Sequence, residues 1–70
     1  MEFKVRLKAI RIERGITLKE ISEHLGITMR AYQYYESGER YPDFKGLIAL
    51  ADYLDVSIDY LVGRTDIKAK

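Results

Sequence analysis

Between Met29 and Tyr34 the chain places four side chains that can meet the edges of nucleic-acid bases: Met29, Arg30, Gln33 and Tyr34. On a helix turning about 100° per residue, Met29 at zero puts Gln33 near about 40°, Arg30 near about 100° and Tyr34 near about 140°. Ala31, Tyr35 and Tyr32 fall on the other side, where they can bury apolar surface. Arginine donates to the two major-groove acceptors of guanine and glutamine pairs with adenine. A methionine packs on a thymine methyl, and a tyrosine bonds phosphate or lies flat on sugar and base.

Other chemistries find little material. His24 is the sole histidine and has neither metal co-ligands nor a nucleophile to serve, so it reads as a surface helix residue. Glu20 and Glu23 occupy successive turns of a surface helix, not a cleft. The absence of cysteine removes disulfides and cysteine–zinc sites. Apart from Gly46, the five glycines fall at expected helix ends, so none builds a phosphate-cradling loop. The expectation is no enzyme, no catalytic residue, no metal, no cofactor and no small-molecule ligand, in a domain too small for a substrate pocket.

The elements that must carry Arg30 and Gln33 follow from local signals. Phe3, Leu7 and Ile10 make the apolar stripe of a first helix over about Phe3–Arg14, which Gly15 ends. Thr17 with Glu20 three residues later forms a capping box for a second helix, about Leu18–Leu25. Ile21 and Leu25 face inward there, and small Ser22 permits a close crossing. Only Gly26, Ile27 and Thr28 separate it from a third helix, about Met29–Glu36, which Gly38 stops. Asp43 caps a fourth, about Phe44–Leu54, with Gly46 weakening its start. Ser57 caps a short fifth, Ile58–Val62, and Arg64–Lys70 reads as a frayed tail.

Two short helices joined through Gly-Ile-Thr have the local geometry of a helix-turn-helix. The glycine turns the chain, the isoleucine pins the turn to the core, and the third helix stands clear of the body. There it can enter a major groove about 12 Å wide.

Seventy residues make one domain with one core. No apolar run approaches a membrane span, and the start Met1–Arg6 lacks a signal-peptide core, which is read as cytoplasmic. The net charge of +1 is unevenly spread. Residues 1–19 hold six basic groups against two acidic, and both later stretches are slightly negative. Nucleic-acid binding would therefore rest on the placement of single groups. The basic first helix is read as a solvated face, and most of the six tyrosines as core or rim residues.

From Leu7 to Gly63 the chain resembles the Cro/CI-type (XRE) family of phage repressors and bacterial regulators. The resemblance is carried by GITLKEISEHLGIT from Gly15 to Thr28, by Tyr35-Glu36-Ser37-Gly38, by Pro42-Asp43, and by LADYLDVSIDYLVG from Leu50 to Gly63. It implies an all-α, five-helix, lambda-repressor-like domain over residues 1–63, with a tail at 64–70. It further implies a repressor that binds double-stranded DNA as a homodimer on a palindromic operator. Met29, Arg30, Gln33 and Tyr34 match the family's base-reading positions, and Arg11 with Glu36 its structural ion pair. The implied phosphate contacts are Thr17, Leu18, Lys19, Thr28, Arg40 and Tyr41, and by analogy Ile58, Tyr60 and Leu61 are placed at the dimer contact. Leu18 departs from the family's glutamine, which leaves that position a backbone contact. Tyr32 replaces a smaller aliphatic residue.

A competing reading keeps the fold but makes the chain a protein-interaction module, such as an antitoxin-like or regulatory partner. Near-neutral charge and Leu18 favour it.

Overall fold

The computed structural model describes residues 2–69; Met1 and Lys70, the outer ends of the expected ranges 1–63 and 64–70, lie outside the described residues. Five helices follow in chain order: α1 Phe3–Glu13, α2 Leu18–Leu25, α3 Met29–Ser37, α4 Phe44–Leu54 and α5 Ile58–Leu61. The ends differ from expectation by one residue in α1, α3 and α5, within the range over which helix ends fray.

Each boundary has a local cause. Thr17, Thr28, Asp43 and Ser57 each accept a hydrogen bond from an amide in the first turn that they cap. Such caps contribute about 1 kcal/mol apiece. Gly38, at φ +85°, turns the chain off α3, and a Cβ there would come within 2.7 Å of Lys4 Cδ. The left-handed backbone requires glycine, whereas the flexible Lys4 side chain could move aside. α4 ends without glycine: Asp55 takes the left-handed conformation at φ 58°, which aspartate tolerates better than most residues.

The apolar stripes meet in one core. Leu7 and Ile10 of α1, Ile21 of α2, Tyr32 of α3, Leu50 and Leu54 of α4, Val56 and Leu61 are all almost wholly buried. Each large aliphatic buried this way contributes about 1.5–3 kcal/mol. α3 is held against both α1 and α2, so its inner edge is fixed while its outer edge stays free.

Three expectations need correction. Leu61 has no exposed surface; it fills this chain's own core and has nothing to offer a dimer partner. The segment after Gly63 is not frayed through its described length. The Ser57 amide donates to the Lys68 carbonyl at 2.9 Å, and Lys68 Nζ reaches Glu13 at 2.7 Å. α1 is not simply a solvated basic face, because Arg6 is buried. Its Nη1 donates to the carbonyls of Tyr60 (3.1 Å) and Thr65 (2.8 Å), and its Nη2 to Asp66 (3.1 Å). The guanidinium also lies 4.0 Å from the Tyr60 ring centroid. His24 is exposed on α2, as expected of a surface helix residue, and its ring stacks on Tyr53 of α4 at 4.0 Å.

Candidate nucleic-acid interface

The turn between α2 and α3 is closed by its own backbone. Gly26 adopts φ +70°, its amide donates to the Glu23 carbonyl at 3.1 Å, and the Ile27 amide donates to Ser22 at 3.0 Å. Ser22 is buried and donates its hydroxyl to the Lys19 carbonyl, so its own polar group is satisfied where the helices cross. Ile27 packs against the core. Thr28 then accepts from the Ala31 amide at 3.0 Å and starts α3.

Tyr32 anchors α3 with its ring wholly buried, edge-on to Tyr35 at 6.0 Å. Its hydroxyl lies beside the Arg11–Glu36 pair and makes no hydrogen bond of good geometry among the described residues. Burial, and then the nearby Glu36 carboxylate, push this phenol far above its ordinary value and keep it neutral. Arg11 grips Glu36 through Nε and Nη2 and donates Nη1 to the Ile16 carbonyl at 2.9 Å. The carboxylate in turn raises the Arg11 value further.

With Tyr32 turned inward, Met29, Arg30 and Gln33 are exposed and Tyr34 is half-buried. The four residues line one shallow, open hollow on the outer side of α3. Arg30 Nε donates to the Tyr34 hydroxyl at 3.2 Å. Arg40, from the loop after α3, lies over the other part of the cluster, 4.6 Å from the Tyr34 ring centroid. Ser37 and Glu39 complete the rim. Neither was singled out from sequence; Glu39 reaches the hollow only because Gly38 reverses the chain.

The expected phosphate contacts separate into unequal groups. At the start of α2, Glu20 accepts from the Thr17 amide at 3.1 Å, and this bond, with the Thr17 hydroxyl, lowers its carboxyl. The ionised group offsets the positive end of that helix. The start of α3 has no acid in its first turn, so its amides and the Thr28 hydroxyl keep their pull on an anion. Leu18 packs against the core, and Lys19 is exposed. Tyr41 is exposed but lies against Phe3, at 6.0 Å between rings, over an apolar hollow with Pro42, Leu47 and Val62. It is not brought to the α3 cluster. Ile58 and Tyr60 are half-buried, and Tyr60 already carries the Arg6 guanidinium.

Among the described residues no group of three histidine, cysteine or acidic side chains could hold a metal ion. No helix among them is long and apolar enough to cross a membrane.

A helix-turn-helix family model matches residues 7–61. The chain is 45% identical over 60 residues to YqaE, an uncharacterised helix-turn-helix transcriptional regulator of Bacillus subtilis, covering 86% of this chain and 52% of that protein. It is 39% identical over 64 residues to the cryptic phage CTXphi transcriptional repressor RstR of Vibrio cholerae, covering 91% and 57%. The crystal structure of a transcriptional regulator from Listeria innocua superposes with a TM-score of 0.83 at 42% identity, over 89% of this chain and 58% of that one. The chain thus spans just over half the length of these relatives.

Proposed function

The chain belongs to the Cro/CI-type (XRE) helix-turn-helix family of transcriptional regulators, and from that premise we propose that it binds double-stranded DNA sequence-specifically through α3. One observation carries the reading. The side chains suited to base edges (Met29, Arg30, Gln33 and Tyr34) lie on the open edge of a helix whose opposite edge is nailed to the core by Tyr32. A helix held in this way can enter the major groove without distorting the body that carries it.

In this reading residues 1–63 form the DNA-binding unit. The start of α3 takes a phosphate on its free amides and Thr28, with Thr17, the Leu18 amide, Lys19, Arg40 and Tyr41 along the flanking backbone. Two copies meet through Ile58 and Tyr60, without Leu61, and present two α3 helices to successive grooves about 34 Å apart. Occupancy of such a palindromic site blocks transcription. The likeness to a phage repressor supports repression, and action on bacterial or phage DNA puts the protein in the cytoplasm.

Random-oligonucleotide selection with the purified chain, followed by salt titration on the enriched duplex, tests the proposal. It expects a two-fold symmetric site and an affinity that falls steeply with salt as counterions are released. Failure to enrich any sequence, with weak and salt-insensitive retention, would replace it with the protein-partner reading that Leu18 and the near-neutral charge favour.

A further inference from the structure

We infer that Arg30, Tyr34 and Arg40 work as one unit in which Tyr34 is a positioning residue, fixing the Arg30 guanidinium so that it selects guanine. The inference rests on the DNA-binding reading and assigns the specificity of that same surface.

Arg30 and Tyr34 stand four residues apart, so their side chains share one edge of α3. The Nε of Arg30 donates to the Tyr34 hydroxyl at 3.2 Å. A long, exposed arginine samples many rotamers, and ordering it on binding costs entropy. The hydroxyl removes part of that freedom before DNA arrives.

Tyr34 is itself held. Its carbonyl accepts from the Gly38 amide (3.1 Å), the Arg40 amide (3.2 Å) and the Ser37 hydroxyl (3.1 Å). The Arg40 amide bond folds the loop back over the end of α3. It leaves the Arg40 guanidinium 4.6 Å from the ring centroid, well within range for attraction to the ring face. The Arg30 guanidinium sits at the outer limit of that range, 6.0 Å away. Arg40 therefore braces the ring and the hydroxyl aims Arg30.

The donor inventory then decides the base. With Nε engaged, Arg30 has its Nη1 and Nη2 hydrogens left for a paired contact. The Tyr34 oxygen, accepting from Nε, leaves its own hydrogen free to donate. The guanidinium presents donors alone. Guanine offers two acceptors on its major-groove edge, whereas adenine and cytosine each place an amino donor there and thymine has a single acceptor beside its methyl.

The test uses the full chain, its Tyr34→Phe, Arg40→Ala and Arg30→Ala variants, and the duplex enriched by the wild-type chain. Single-base variants of that duplex read the preference at each position by anisotropy. Without DNA, proton NMR of the wild-type chain should show the Arg30 Nε hydrogen protected from exchange, and Tyr34→Phe should expose it. Arg30→Ala should abolish a guanine preference at one position. Tyr34→Phe should reduce that preference roughly tenfold with the salt slope unchanged, because no charge is lost. Arg40→Ala should weaken it at the same position and lower the salt slope by about one.

If Arg30→Ala removes the preference but Tyr34→Phe leaves both it and the Nε protection intact, Tyr34 does not position Arg30. A base other than guanine at that position also overturns the inference while leaving DNA binding in place. If Arg30→Ala changes nothing on an enriched duplex, Arg30 reads no base and the inference falls alone; if no duplex is enriched, the DNA-binding reading itself falls and this inference with it.

Discussion

Arg11 and Glu36, 25 positions apart, close a two-pronged ion pair that fastens α1 to the last turn of α3. The side chains keep only 12% and 9% of their surface exposed. The third arginine donor binds the Ile16 carbonyl just before α2. One residue thus ties the first helix to both halves of the helix-turn-helix.

Removing one partner of this pair should cost more than the pair itself contributes, because the survivor is left charged and out of water. Glu36→Gln or Arg11→Met alone should destabilise by about 3 kcal/mol, and a double replacement by apolar residues of similar volume should recover much of that loss. Urea denaturation of the three variants checks it; additive losses in the double variant would contradict it.

The Arg6 anchor should owe more to its carbonyl partners than to its ion pair. Asp66 is 97% exposed, and an ion pair with so open a partner is worth less than about 1 kcal/mol. Arg6→Ala should cost about 2 kcal/mol through the lost bonds to Tyr60 and Thr65. It should also speed hydrogen exchange at the Ser57 amide, whose acceptor is the Lys68 carbonyl. Asp66→Ala should do neither. Equal losses in the two variants would assign the anchor to the ion pair.

Two exposed carboxyls should shape acid unfolding. Glu20 is held below its ordinary value chiefly by the Thr17 backbone amide, and Glu13 chiefly by the hydrogen bond from Lys68. A carboxyl depressed on folding binds fewer protons folded than unfolded, so stability rises with pH through this range. Its contribution is full above the ordinary glutamate value of about 4.3 and is lost as pH falls through the depressed folded value. Tm measured against pH should show a shallower acid limb for Glu20→Gln, which keeps a capping acceptor, and for Glu13→Gln. An acid limb as steep as the wild type in both variants would refute this.

The starts of α2 and α3 should respond oppositely in DNA binding. Glu20 already offsets the positive end of α2, whereas α3 has no acid in its first turn. Glu20→Gln should therefore strengthen binding evenly across sequences, most visibly at low salt. Thr28→Ala should weaken it without changing base preference. Anisotropy titrations on the selected duplex and on an unrelated one would distinguish a uniform effect from a sequence-dependent one.

The chain alone determined the five helices and the open edge of α3. Thr17 with Glu20, Thr28 with Ala31, and Gly26 and Gly38 all act within a few positions along the chain, so local sequence is enough to read them. The same period placed Tyr32 and Arg30 on opposite sides of one helix. Only tertiary structure decided that Arg6 turns inward, that the segment after Gly63 lies along α1, and that Leu61 belongs to the core. Those outcomes depend on groups brought together from opposite ends of the chain, Arg6 meeting Tyr60, Thr65 and Asp66 across 54 to 60 positions. No periodicity or cap encodes such a meeting. It is set by which buried donors and carbonyls remain to be satisfied once the helices have packed.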